Sequence, residues 1–483
     1  MRRFSSASCS WPSARLLVAL AAIAVLRAAP AHAADEVVTL EQVLHAADLH
    51  PLVAGERSQR AEAAARADEA SWARFARIDL LATLAPVPTI RLSNPADPNS
   101  DTRDESELLN DMFSDTNPYY RLEAKAVQPL YTFGKLTLAR ELADVGVRAA
   151  DVEVEKARLE ARFNAYRAYR AVQWYGETDA LLLEAFDRLK TAREKIDLRV
   201  EDELPGARTD LRKLLIAMPA VVSARAAADE VGLTARESLS AQFELPLSFR
   251  AEPFEATAGS EPPPLEQVLA FARYHRPDAR LLAFAVEGRE LEAKIAWRAL
   301  TPDFFATAGV SSAYAPSITD ISGAFVNDPY NKFGVSVFLG LKWDPDLFRK
   351  IAQTSRLEAQ AESARQGRLA ALAGIEVEVR SAYHEVAGKQ AVVASYNEAF
   401  RAADAWLKQV WFQYTQGLAE FSEVEDPLKQ FYQVAGARLK AILELQVAKA
   451  NLALKCGSDR FGDWPEATIR STTSVPGEAL GEK

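Results

Sequence analysis

The segment from Tyr119 to Arg170 joins two patterns that restrict the fold strongly. Residues 121–126 alternate charged side chains with apolar or small ones, which is the period of a strand with one apolar face. A corner follows at 128–135 (Gln-Pro-Leu-Tyr-Thr-Phe-Gly-Lys). Apolar residues then recur at the three-, four- and seven-residue steps of a coiled coil, with Lys156 as the one polar interruption. These positions are Leu138, Leu142, Val145, Ala149, Val152, Leu159, Phe163 and Tyr166.

The chain repeats this plan. Leu265-Glu266-Gln267-Val268-Leu269 reproduces the five residues from Leu40 at an offset of 265 − 40 = 225, and Trp297 follows Trp72 at the same offset. The sequence therefore predicts an internal duplication. The first repeat (34–263) is predicted as a helix (39–77), a strand (78–92), a loop (93–118), a strand (119–130), a long helical hairpin (135–199 and 209–240) and a linker. The second repeat (264–457) is predicted as a helix (265–300), a strand (303–314), a loop (315–332), a strand (333–343) and a long helical hairpin that turns near Thr415. A polar C-terminal tail occupies 458–483.

The first 33 residues are predicted to be a signal peptide. Arg2, Arg3 and Arg15 precede an apolar run, and Ala31-His32-Ala33 is a small-residue cleavage site. A membrane anchor is the alternative, but the apolar run is too short to span a bilayer well. Removing the leader leaves 57 − 4 = 53 basic residues against 67 acidic ones, a net charge of 53 − 67 = −14. Such an acidic chain is a poor partner for nucleic acid.

Four strands of about ten residues cannot close a barrel by themselves, so the backbone groups at the two sheet edges would lack hydrogen-bond partners in a membrane. An unpaired backbone group in lipid costs several kcal/mol, and bacterial outer-membrane barrels have about eight strands or more. Strands in lipid would therefore need partners from other copies of the chain. Strand length and alternation fit such a barrel. A soluble periplasmic four-stranded sheet is the alternative.

The repeat, the corner at 128–135 and the hairpin turns at Gly206 and Gly417 resemble the TolC family of outer-membrane efflux proteins. The resemblance covers roughly Thr39 to Cys456. It implies a mainly α-helical chain with membrane β-strands that assembles as a homotrimer. Each protomer would give four strands to a twelve-stranded barrel in outer-membrane lipid, and this barrel would continue as a periplasmic α-helical coiled-coil barrel. It also implies a periplasmic adaptor (membrane fusion protein) and an inner-membrane pump as partners. The implied function is a passive exit duct for efflux or type I secretion.

The resemblance also implies a ring of acidic residues after the second hairpin turn. Glu423 and Asp426 occupy those positions, and a spacing of three places them on one helix face. Pro427 departs from the family pattern, and acids at a helix start are also favoured by the helix dipole alone. Predicted tip, gating and adaptor contacts are Gly206, Arg208, Asp210, Gly417 and Leu418.

A search for catalytic or metal-binding motifs finds none. The spacings of His45, His50, His275 and His384 match no metal site, and no phosphate-binding Gly-rich loop occurs. The sequence therefore predicts no enzyme and no cofactor. A Ca²⁺ site in the acidic loop 93–118 is an alternative to a solvated loop, and the lone mature thiol, Cys456, is predicted to be passive.

Two further alternatives stay open. The aromatic residues before the second turn fit either helix packing or an adaptor-docking surface. They are Trp406, Trp411, Phe412 and Tyr414. The rival function is a soluble coiled-coil adaptor of the same export machinery, which would lack lipid-facing strands.

Overall fold

The computed structural model describes residues 37–88, 116–254, 261–316, 318, 320 and 328–461. The predicted signal peptide, most of the acidic loop and nearly all of the C-terminal tail lie outside the described residues. The first repeat contains β1 (Val37–Val38), α1 (Leu40–Asp48), α2 (Pro51–Trp72), β2 (Arg77–Pro88), β3 (Thr116–Tyr131), α3 (Lys135–Glu201), α4 (Ala207–Phe243) and β4 (Arg250–Ala251). The second contains α5 (Leu265–His275), α6 (Pro277–Arg298), β5 (Asp303–Tyr314), β6 (Lys332–Lys342), α7 (Leu347–Thr415) and α8 (Phe421–Cys456).

The opening helix of each repeat is two helices, where the sequence predicted one. The Thr39 side chain accepts a hydrogen bond from the Gln42 amide, and the Gln42 side chain accepts one from the Thr39 amide, which forms a capping box at the start of α1. The break falls at Pro51 in the first repeat and at Pro277 in the second, each at the start of the next helix. Proline disfavours helical geometry in the residue before it but suits the first helical turn. The prolines therefore end one helix and begin another.

Two helices dominate the molecule. Helix α3 has 67 residues and α7 has 69, so each is about 100 Å long at 1.5 Å per residue. Helices α4 and α8 pack back against them as antiparallel hairpins. Lys156, the polar interruption of the α3 heptads, forms an ion pair with Asp278 at 3.0 Å, and Lys389 of α7 forms one with Glu444 at 2.5 Å. Each lysine thus joins its helix to a neighbouring helix.

The four long strands form one antiparallel sheet in the order β2-β3-β5-β6. Strand β3 begins at Thr116, so residues 116–118, predicted as loop, pair with the end of β2 instead. Pro86 and Pro88 lie in β2, where an edge position tolerates residues without an amide hydrogen. At the corner, Phe133 and Gly134 adopt positive φ angles of 52° and 82°. Glycine takes this conformation without strain, which lets β3 turn into α3.

A second, small sheet ties the beginning of the first repeat to its end. Strand β1 pairs in parallel with β4, which lies in the segment predicted as a linker. The buried Tyr169 hydroxyl donates to the Val38 carbonyl at 2.7 Å and accepts from the Glu252 amide at 3.0 Å. Burial raises the pKa of Tyr169 to about 12. The start of the described chain is therefore fixed to the middle of α3.

Candidate functional site

One face of the four-stranded sheet is apolar and exposed; we call it the apolar face. The registers of β2, β3, β5 and β6 place these side chains on the same side, since alternate residues of a strand share a face. Val337 and Leu339, in the middle of β6, are 76% and 78% exposed. The other exposed members include Ile78, Leu80, Leu84, Tyr120, Leu122, Val310, Tyr314, Phe333, Val335 and Leu341. An apolar surface spanning four strands marks contact with a membrane or another protein.

The opposite side of the sheet carries most of its charge; we call it the polar face. It includes Asp79, Arg121, Glu123, Lys125, Lys332 and Lys342, together with Thr83, Ser311 and Ser336. Arg121 and Glu123, two residues apart on β3, form an ion pair. The alternation is that of a sheet with one face in an apolar medium and the other in water.

Both edges of this sheet are open among the residues that the structure describes. Strands β2 and β6 each pair on one side only, with β3 and β5 respectively. The 12 residues of β2 and the 11 of β6 therefore present rows of backbone amides and carbonyls to a possible partner strand.

The far end of the helices forms a tip of two turns. Gly206 (φ 82°) ends the first turn and precedes α4, and Gly417 (φ 74°) lies in the second. Leu418 beside it is 78% exposed, and its amide donates to the Gln413 carbonyl at 2.9 Å. Positive φ explains why glycine occupies both turns.

Asp210 lies buried at this tip, only 3% exposed. Burial raises the pKa of its carboxyl group, while Arg199 opposes that shift by attraction. The Arg199 guanidinium lies 3.5 Å from Asp210 and 3.5 Å from Glu420, which caps α8. Arg199 therefore links the two hairpins, together with Lys213, which lies 3.3 Å from Glu425. Sequence reasoning did not single out Arg199, although it is the basic residue in the last turn of α3.

The other predicted tip residues are placed differently. Arg208 is exposed and forms no ion pair with any residue in the described part of the chain. Glu423 and Asp426 are also exposed and lie on the outward side of α8, since Val424 and Pro427 are buried. Helix α8 continues through Pro427 at its seventh residue. A proline cannot donate to the carbonyl four residues earlier, so the Glu423 carbonyl lacks its helical partner there.

The aromatic residues before the second turn divide into two groups. Tyr414 is buried in the tip core, where its ring contacts Phe421, and Trp411 packs against the same core. Trp406 and Phe412 are exposed, by 45% and 63% respectively. Packing therefore accounts for the first pair only, and the second pair leaves apolar surface near the tip.

The described residues hold neither a cluster of side chains suited to a metal ion nor a helix with the length and apolar character needed to cross a membrane. Two of the histidines pack or cap locally. His50 accepts a hydrogen bond from the Leu52 amide at 3.2 Å, and His275 stacks on Phe271 with ring centroids 4.2 Å apart. Cys456 is buried, which raises the pKa of its thiol to about 12.

Comparisons with known proteins identify the architecture. The sequence matches no protein-family model and no curated protein. Its structure is similar to that of the outer-membrane channel OprN, with a TM-score of 0.67 and 16% identity over 87% of this chain and 90% of OprN. It is also similar to CusC (TM-score 0.67, 14% identity, 87% of this chain and 92% of CusC). The open state of the Neisseria gonorrhoeae MtrE outer-membrane channel is similar as well, with a TM-score of 0.66 and 16% identity over 87% of this chain and 89% of MtrE. The predicted fold class is thereby confirmed: the chain has the fold of TolC-family outer-membrane channels.

Proposed function

We propose that the protein is an outer-membrane exit duct that assembles as a homotrimer. The observation that carries the proposal is the apolar face of the sheet, which is exposed in a single chain and lies between two open strand edges. Lipid would cover that face, and neighbouring copies would pair with the edges. Three copies supply twelve strands, above the minimum of about eight for a closed barrel. The polar face would then line a water-filled lumen.

The geometry of the strands supports a membrane location. The 11 residues of β6 rise about 3.3 Å each and would span about 28 Å at a tilt of about 40°, close to the thickness of a bilayer core. A soluble adaptor would instead expose this apolar surface to water. The long hairpins would extend from the barrel into the periplasm for about 100 Å.

We further propose that the tip opens and closes the duct. Glu423 and Asp426 of three copies would form a ring of six carboxylates, which attracts cations and repels anions. Arg199 would hold the two hairpins together through Asp210 and Glu420, and a shift of the hairpins would break these contacts. The exposed Trp406 and Phe412 offer apolar surface for a periplasmic adaptor, and an energised inner-membrane pump would drive the cargo.

Fractionation and gel mobility test the assembly. We expect the protein in the outer-membrane fraction, released only by strong detergent, and migrating as an oligomer that heating converts to monomer. A stable, detergent-free monomer in aqueous buffer would refute the proposal. Single-channel recording tests the tip separately: Glu423→Gln/Asp426→Asn should lower the preference for cations. An unchanged preference in that double variant would remove both residues from the aperture while leaving the duct itself untouched.

A further inference from the structure

The polar face of the sheet contains a cavity with an unusual lining for a lumen wall. It has a volume of about 490 Å³ and lies at the end of the sheet next to the long helices, between β3, β5, β6 and the first turn of α3. The residues that matter for its chemistry are Lys125, Asp303, Phe305, Thr307, Phe338 and Lys342. Its volume lies within the range of sites for small organic molecules.

Two phenylalanine rings form its apolar wall. Phe305 and Phe338 occupy positions on the polar face, where the rest of β6 carries lysine, serine or glycine. The Phe305 ring lies directly over Gly340 on the neighbouring strand: a Cβ atom placed there would come within 2.4 Å of the ring. Glycine at this position gives the ring its space. A larger residue at position 340 would displace the Phe305 ring, so the aromatic wall depends on Gly340.

The charge that remains at the cavity is positive. Asp303 is compensated by Lys135, whose Nζ atom lies 2.9 Å from its carboxylate. Asp79, the cross-strand neighbour of Lys125, is paired with Arg77 at 3.0 Å. Lys125 and Lys342 form no ion pair with any residue that the structure describes, and both are exposed. Two ammonium groups therefore flank the aromatic wall with no local counter-charge of their own.

A buried hydroxyl group points to a missing polar partner. Thr307 is 2% exposed, lines the cavity, and its Oγ1 atom has no hydrogen-bond partner among the described residues. A buried hydroxyl that makes no hydrogen bond costs free energy, so most such groups in proteins are paired. An acceptor oxygen of a bound molecule would satisfy it.

We infer that this cavity binds an organic anion with a flat aromatic body, which the positive charges of Lys125 and Lys342 at its rim attract and whose ring packs on Phe305 and Phe338. The binding itself does not depend on the proposed function. Its consequence does: in an exit duct, aromatic anions would be a class of cargo that binds transiently at the base of the barrel. Cation–aromatic and ring–ring contacts both favour such a molecule over a small inorganic anion.

Equilibrium dialysis of the full-length protein in a non-ionic detergent tests the site, with naphthalene-1-sulfonate as the probe and detergent alone as the blank. We expect one saturable site per chain. Binding should weaken about tenfold in Lys125→Gln/Lys342→Gln, because two positive charges that attract the anion through partly screened fields are lost. It should also weaken in Thr307→Val, which keeps the shape of the side chain and removes the hydroxyl group. The uncharged analogue 1-naphthylmethanol and inorganic sulfate should each bind more weakly than naphthalene-1-sulfonate.

Lys332→Gln is the matched control, because Lys332 lies on the same face of the same strand as Lys342, 342 − 332 = 10 residues or about 33 Å away. A loss of affinity in this control equal to that of the double variant would overturn the inference, as would sulfate binding as tightly as naphthalene-1-sulfonate. Planar-bilayer recording separates the two proposals. Saturable binding without any channel current would refute the exit duct and leave the site, whereas channel current without probe binding would refute the site alone.

Discussion

Replacing Val337 by arginine tests whether the apolar face meets lipid. Val337 is the central residue of β6, and its side chain is 76% exposed in the single chain. Its strand neighbour Ser336 lies on the polar face and is also exposed. The two positions are adjacent in sequence, lie at the same depth, and differ only in the side of the sheet to which they belong. Val337→Arg and Ser336→Arg are therefore a matched pair.

The two possible environments of Val337 predict very different costs. In a barrel, residue 337 would lie near the middle of the bilayer core, because five residues of β6 precede it and five follow it. An arginine on the lipid face there costs about 2–4 kcal/mol per chain, hence about 6–12 kcal/mol for three chains. On a water-exposed sheet the same change stays within about 0.5 kcal/mol. Arginine at position 336 would face the lumen and cost little in either case.

Urea unfolding of the protein in phospholipid vesicles measures this difference. We expect Val337→Arg to lower the unfolding free energy by at least 2 kcal/mol per chain and to lower the temperature at which the oligomer dissociates on a gel. Ser336→Arg should leave both values close to those of the unaltered protein. Equal effects of the two substitutions, or no effect of either, would refute the assignment of the apolar face to lipid.

Three further tests concern the tip, the C-terminal end of α8 and the small sheet. Burial raises the pKa of Asp210, so its contribution to stability is present below its unfolded pKa and is lost as the pH rises through the folded value. Tip amides should therefore be less protected from exchange at pH 7 than at pH 4, relative to the intrinsic exchange rate at each pH, and this difference should shrink in Asp210→Asn. Gly457→Ala should lower the melting temperature, because its Cβ atom would lie 2.5 Å from the His275 carbonyl oxygen at a φ of 79°, whereas Gly367→Ala in open space should raise it slightly. Tyr169→Phe should lower the free energy of unfolding in urea by about 1–3 kcal/mol and expose the Glu252 amide to exchange.

For each of these expectations, one outcome would contradict the reasoning. Tip exchange that does not depend on Asp210 would show that other groups set its pH response. Equal effects of the two glycine substitutions would contradict the contact with His275. A Tyr169→Phe protein as stable as the original would mean that β1 is held by its pairing with β4 alone.

The fold class could be predicted because the sequence repeats its strongest signals. The recurring order of elements predicted a strand at 303–314, where the structure has Asp303–Tyr314. The heptad pattern after the first corner predicted a long coiled-coil helix, where the structure has the 67 residues of α3. The split of each opening helix was missed, because the apolar period continues across Pro51 and Pro277. The break comes from the backbone instead, since the residue before a proline disfavours helical geometry. The β1–β4 pairing was also missed, since two-residue strands carry no periodic pattern.

The tip was only partly predictable. Spacing places Glu423 and Asp426 on one helix face, and both side chains are exposed on α8. The link between hairpins depends on Arg199, whose partners Asp210 and Glu420 are distant from each other in sequence and meet only when both hairpins are folded. Likewise, no local pattern reveals that Gly340 leaves space for the Phe305 ring, because that contact crosses two strands.

The small sheet has a consequence for how the chain matures. Strand β1 stands at the beginning of the described chain, but its partner β4 is made 250 − 37 = 213 residues later. Until then the Tyr169 hydroxyl lacks one of its two backbone partners, the Glu252 amide. A polypeptide that stops before Arg250 would keep a loose leading end open to proteases. The complete first repeat would protect that end, so this short pairing distinguishes a complete first repeat from a truncated one by its resistance to proteases.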